Sequence, residues 1–275
     1  MIVDALAGVL NSVQMQEFLH LHPLSHLLRA GAGATVGFVL GLVGGGGSIL
    51  AVPLMVYAIG VRNPHVAIGT SALAVAVNAM VNLRAHARAD NVKWRCGGMY
   101  ASAGVVGALI GSSLGKAFNG QSLLFLFALV MIAVGVLMLR GRGNPGNPGV
   151  ECTIEKAPKV LGYGLATGLF SGFFGIGGGF LIVPGLVGST GMPIIKAIGT
   201  SLVAVAAFGL TTAFNYTLSG LVDWPLAMTF LLGGAVGGAI GARVSRALSS
   251  NNDRLTTIFA NLIFAVAGYM IARTT

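Results

Sequence analysis

Charge is scarce in this chain, and its placement is as informative as its scarcity. Only 8% of the 275 residues are charged, against 55% hydrophobic. A soluble globule carries about a quarter of its residues as charge. The acidic residues Asp4, Glu17, Asp90, Glu151, Glu155, Asp223 and Asp253 all lie outside the middle of the apolar runs, and the lysines and arginines do the same. Nothing is then available to neutralise a cation at membrane depth, so a cation carrier is disfavoured. An intramembrane enzyme fares no better. It needs a nucleophile with a base, or a metal cluster, and the chain has no His-Glu-x-x-His and no mid-run His, Asp or Glu. No catalytic residue, metal ligand or cofactor is assigned.

Cysteine is nearly absent too. Cys96 and Cys152 fall in or beside basic stretches, which reads as reduced cytoplasmic thiols rather than a disulfide. The opening MIVDALAGVLNSVQMQEF lacks a basic n-region, so no signal peptide is expected. A net charge of +9 suggests nucleic acid at first sight. The basic residues instead sit between apolar runs, as the positive-inside rule requires of a multi-pass membrane protein.

What the chain has in abundance is apolar runs and 43 glycines. The runs fall at about 30–43, 48–60, 66–83, 97–114 and 122–139, then at about 161–176, 179–191, 197–218, 226–242 and 255–272. This divides the chain into a leader (1–27), a first membrane repeat (28–140), a cytoplasmic linker rich in Gly, Pro and charge (141–160), and a second repeat (161–275).

The halves repeat residue by residue. GLVGGGGSILAVPLM from Gly41 is echoed by GFFGIGGGFLIVPGL from Gly172, so Pro53 pairs with Pro184 at an offset of 131. AIGTSALAV from Ala67 returns as AIGTSLVAV from Ala197, and Trp94 as Trp224, at an offset of 130. Gly104, Gly107 and Gly111 pair with Gly234, Gly237 and Gly241. Loop charge orients the repeats. The stretch before Trp94 carries Arg84, Arg88 and Lys93, whereas its counterpart before Trp224 carries Asp223 and no lysine or arginine. Equivalent loops on opposite sides make the repeats inverted.

Inversion needs an odd number of crossings per half, yet each half has five runs. The two pieces flanking the glycines are about 13 to 16 residues, or about 20 to 24 Å of helix, short of a hydrocarbon core of about 30 Å. A re-entrant hairpin with a glycine tip near the midplane meets both constraints; two tilted full crossings are the alternative. The expected fold is therefore all-α and polytopic: two inverted repeats, each a glycine-tipped broken-helix hairpin plus three transmembrane helices.

Irregular backbone at membrane depth must be buried in protein or line a cavity. A half-helix N-terminus offers unpaired N–H groups and a partial positive charge, and glycine lets a ligand approach closely. That makes an anion site, and with inverted halves two such tips should converge from opposite sides near the midplane. Its candidate residues are Gly44, Gly45, Gly46, Gly47 and Ser48 in the first half and Gly175, Gly177, Gly178 and Gly179 in the second, with the hydroxyls of Thr70, Ser71, Thr200 and Ser201. Asn78, Asn82 and Asn215 are polar liners or interhelical hydrogen-bonders. The competing readings are close helix packing for glycine and bonding back to helix carbonyls for Ser and Thr.

The duplicated glycine-plus-proline segment, the duplicated AIGTS and the LVDW before a glycine-rich helix resemble the TauE/SafE family of membrane permeases, over about residues 28–272. NVKW replaces LVDW in the first half. The resemblance implies export of sulfite, sulfoacetate or a related organosulfonate across the bacterial inner membrane, with proton-coupled import of thiosulfate, sulfate or a sulfonate as the alternative. Its partners would be the small anion and the lipid bilayer, not nucleic acid. Whether the chain forms a homo-oligomer is left open.

Overall fold

The computed structural model describes residues 23–43, 48–140, 152, 154–175, 179–247, 261 and 263–272. All regular structure among them is helical. The first half contributes α1 (Pro23–Val43), the short α2 (Ser48–Ala58), α3 (Pro64–Arg88), α4 (Trp94–Ala117) and α5 (Gly120–Arg140). The second contributes α6 (Ala157–Phe174), α7 (Gly179–Thr190), α8 (Ile194–Thr217), α9 (Trp224–Ala247) and α10 (Ile263–Ala272). Four of these, α3, α4, α8 and α9, are long and apolar enough to cross a membrane. The chain is a multi-pass membrane protein. α1 starts at Pro23, inside the stretch read from sequence as leader; proline is well suited to a first helical turn because its missing N–H is not needed there.

Local chemistry sets the boundaries. Asn63 caps α3, its side-chain oxygen accepting the His65 N–H at 2.9 Å, and Pro64 follows as the first helical residue. Asp223 caps α9 by accepting the Leu226 N–H at 2.9 Å. Breaks between helices recur at equivalent positions. Gly60 after α2 and Gly191 after α7 have φ of +82° and +77°. In the next turns, Asp90 (φ 53°) and Gly220 (φ 68°) match at the offset of 130. Pro53 lies just before a widened π turn, Leu54–Ala58. Proline withholds an N–H from the helical ladder, one recognised cause of such local adjustment.

The halves are interlocked. The first helix of each packs along the fourth helix of the other, α1 on α9 and α6 on α4, and α3 crosses α8 between them. The interlocking pairs meet through glycine. A Cβ on Gly37 would stand 2.0 Å from the Gly234 carbonyl oxygen, and one on Gly168 would stand 2.1 Å from that of Gly104. Only a bare backbone fits at these crossings, and dispersion at such close approach holds membrane helices together. The outward surface is apolar instead. Val106 and Ile110 on α4 and their counterparts Val236 and Ile240 on α9 are exposed, a contiguous greasy face suited to lipid.

The two cysteines correct the sequence reading. Cys96, in the first turn of α4, and Cys152, in the linker, form a disulfide with Cα atoms 5.4 Å apart. The expectation of separate thiols rested on compartment alone. What it lacked was that Cys152 lies against the first turn of α4, where the two residues are buried, 2% and 3% exposed.

Candidate functional site

The duplicated Gly-Thr-Ser lies in the first turns of α3 and of α8, and its two hydroxyl residues behave differently. Ser71 donates to the Ile68 carbonyl at 3.0 Å and Ser201 to that of Ile198 at 2.8 Å. Their protons are committed to their own helices. The threonines act as acceptors. Thr70 Oγ1 takes the backbone N–H of Asp223 at 2.9 Å, and Thr200 Oγ1 takes that of Lys93 at 2.9 Å. Each threonine therefore pins the segment leading into the fourth helix of the opposite half. All four residues are fully buried.

The second glycine segment comes to the same place. α6 ends at Gly175, which turns into the left-handed region at φ +66° with its N–H on the Gly172 carbonyl. A Cβ there would lie 1.8 Å from Cγ2 of Ile68. The turn of the second half is thus seated on the AIGTS of the first, two residues from Thr70. The level is that of the first turns of α3: Ile68 precedes Ala76, where α3 crosses α8 at Gly209, by eight residues, about 12 Å of helix. α7 resumes at Gly179. Ser48, fully buried, opens α2. Gly44, Gly45, Gly46, Gly47, Gly177 and Gly178 lie outside the described residues.

The asparagines part company. Asn82 Nδ2 donates to the Asn78 carbonyl one turn earlier at 2.9 Å. Asn215 bridges α8 to α4, its Nδ2 donating to Ser112 Oγ at 2.6 Å and Ser113 Oγ at 3.0 Å. Asn78 is fully buried with neither amide atom partnered, pressed against Gly234. Its equivalent in the other half is Phe208, pressed against Gly104, the equivalent of Gly234. One cradle, used twice, takes an amide on one side and a ring on the other.

Ser113 sits in a Gly-x-Ser-x-Gly spacing, Gly111 to Gly115. In hydrolases that motif forms a sharp strand-to-helix turn. Here it runs inside continuous helix, and the hydroxyl donates to the Leu109 carbonyl at 2.9 Å.

Residues 29–270 match the family model described as sulfite exporter TauE/SafE. The chain belongs to the TauE/SafE family. A Xylella fastidiosa (strain Temecula1) protein named probable membrane transporter is 50% identical to this TauE/SafE chain, covering 90% of it and 96% of the relative. The Bacillus subtilis probable membrane transporter YunE is 27% identical, covering 82% and 91%. A Methanocaldococcus jannaschii relative of the same description, MJ0441, is 25% identical, covering 87% and 92%. No solved structure matches the chain.

One residue of this TauE/SafE protein escaped the sequence reading. Lys116 lies in the last turn of α4 and is half-buried. Its ammonium donates to Asn215 and Ser219. The signal that finds it is the repeat itself, because Lys116 plus the offset of 130 falls on Arg246, in the last turn of α9.

Proposed function

We propose that this protein exports a small sulfur oxyanion, sulfite or an organosulfonate such as sulfoacetate, across the bacterial inner membrane. The anion is held in turn at two places, by backbone N–H groups of a glycine segment with the hydroxyl of Thr70 at one end of the bundle and with that of Thr200 at the other. The observation that carries this reading is the seating of Gly175 against Ile68. It brings the glycine turn of one half onto the first turns of α3, the stretch that also carries Thr70. Such a site supplies neutral donors, which suits an anion, and the neighbouring Asp223 carboxylate is engaged by the Leu226 N–H.

The two repeats are inverted in this proposal. Support comes from the threonine bonds: the start of α3 meets the start of α9, and the start of α8 meets the start of α4. Because α4 follows directly from the end of α3, equivalent ends of α3 and α8 face opposite ways. α2 and α7 span 11 and 12 residues, about 16 to 18 Å. That is too short for a core of about 30 Å. The incoming pieces α1 and α6 span 21 and 18 residues, about 32 and 27 Å and longer than the roughly 13 to 16 residues expected, so only the outgoing pieces have re-entrant length. Arg84, Arg88 and Lys93 favour a cytoplasmic side for the end holding the α3–α4 turn and the linker, while the Cys96–Cys152 disulfide at that end weighs the other way. An inside-negative potential then favours outward movement by about 2.3 kcal/mol per charge per 100 mV, so export needs no coupled ion.

Thermal unfolding of the purified protein with sulfite, sulfate, thiosulfate, sulfoacetate and chloride tests the reading. Sulfite or sulfoacetate should raise the midpoint, and Gly46→Val or Gly177→Val should remove the rise. A rise with chloride alone, or one that survives both substitutions, removes the site from the mechanism.

A further inference from the structure

Lys116 has three donors and only neutral acceptors for them. Nζ donates to the Asn215 carbonyl oxygen at 3.1 Å, to Asn215 Oδ1 at 2.9 Å and to Ser219 Oγ at 2.8 Å. It also stands 5.8 Å from the centroid of the Tyr216 ring. Among the described residues no carboxylate reaches it. The ion pair they do contain, Lys196 with Asp90, belongs to the opposite end, by the α3–α4 turn. A partly desolvated cation without a counter-ion carries an unmet electrostatic demand.

The surroundings say what would meet that demand. Gly115, the preceding residue, abuts Phe173, since a Cβ there would lie 2.4 Å from the Phe173 carbonyl oxygen. Phe173 is two residues from Gly175, which rests on Ile68. Tyr216 is fully buried, and its hydroxyl has no partner; its Cβ would lie 2.8 Å from one on Gly69, the residue before Thr70. Lys116, the glycine turn and the Gly-Thr of α3 therefore share one end of the bundle. The cation is also held in place. Asn215 is fixed by Ser112 and Ser113, which turns its carbonyl oxygen to the ammonium.

We infer that Lys116 is the docking cation for the transported oxyanion at this end, positioned between bulk water and the glycine turn. This deepens the proposed function and rests on it. The ligand class is a small mono- or divalent oxyanion. Lys116 replaces part of its hydration while leaving the anion free to move on to neutral donors. A purely structural lysine would do something different, tying the end of α4 to the end of α8 through the Asn215 carbonyl.

Sulfite titrations of the full-length protein by calorimetry, paired with unfolding midpoints without sulfite, separate the two roles. Lys116→Gln should weaken sulfite binding about tenfold or more, the scale of one charge-assisted contact, and Lys116→Arg should retain it. Asn215→Asp supplies Lys116 with an internal carboxylate while exchanging the two N–H donations to Ser112 and Ser113 for an acceptor oxygen. It should weaken sulfite binding about as much as Lys116→Gln. The inference fails if the wild type binds sulfite and Asn215→Asp binds it within about twofold, or if Lys116→Gln lowers the midpoint while leaving affinity intact. If the wild type binds no sulfur oxyanion, the proposed function itself fails.

Discussion

The Thr70 hydroxyl accepts the backbone N–H of Asp223 at 2.9 Å across 153 residues of chain, and Thr200 repeats the contact with Lys93. These are tertiary bonds at opposite ends of the bundle, made by the same residue of the same duplicated motif. Each removes an otherwise orphaned donor just before a fourth helix begins. Thr70→Val should cost about 1 to 3 kcal/mol, the range for a buried donor left unmet. Thr70→Ser should cost far less. Because the two sites share no partner, Thr70→Val and Thr200→Val should add. Chemical unfolding in detergent measures this, and a double variant no worse than either single one would contradict it.

The glycine crossings make a paired prediction. Gly37→Ala drives a Cβ to 2.0 Å from the Gly234 carbonyl, whereas Gly31, on the same helix, has nothing within 4 Å. Overpacking against backbone costs about 1 to 3 kcal/mol or more. Gly31→Ala should be neutral or stabilising by up to about 1 kcal/mol, through helix propensity. Equal unfolding midpoints for the two variants would mean that α1 does not lie on α9 as described.

Asn78 offers a change of the opposite sign. Its buried amide has no partner, so Asn78→Leu removes two desolvated groups and keeps much of the volume. The variant should be more stable by about 1 to 3 kcal/mol, read as a higher thermal midpoint. A lower midpoint would indicate that the amide has a hydrogen-bonding role in the folded protein.

The disulfide closes a loop with a sequence separation of 56, for which chain entropy gives about 4 kcal/mol of stabilisation. Purified protein should titrate no free thiol at residues 96 and 152 until it is denatured, because both are buried. Reduction, or Cys96→Ser with Cys152→Ser, should lower the midpoint of unfolding. Two thiols that alkylate in the native protein would return the cysteines to the state expected from loop charge.

How much of this was legible beforehand depends on whether the information is local. The runs and the glycine and proline breaks are local and duplicated, so the helices fell close to where hydropathy puts them. Even the left-handed turns, Gly60 with Gly191 and Asp90 with Gly220, obey the repeat offset. The fate of a hydroxyl is not local. Thr70 and Ser71 are neighbours, yet one bonds across the bundle and the other to its own helix, and only the packing of α9 on α3 decides which. Lys116 was hidden for a related reason. Its surroundings come from α8, some 100 residues away, and a sequence window shows only a lysine near a loop.

The central claim is that neutral donors carry a charged oxyanion outward. Electrogenic flux from sulfite-loaded proteoliposomes tests it most directly. Efflux should accelerate when the interior is made negative, with no proton gradient present, and should leave a measurable net charge movement. Efflux insensitive to potential, or sulfite accumulation driven by an acidic exterior, would contradict the account.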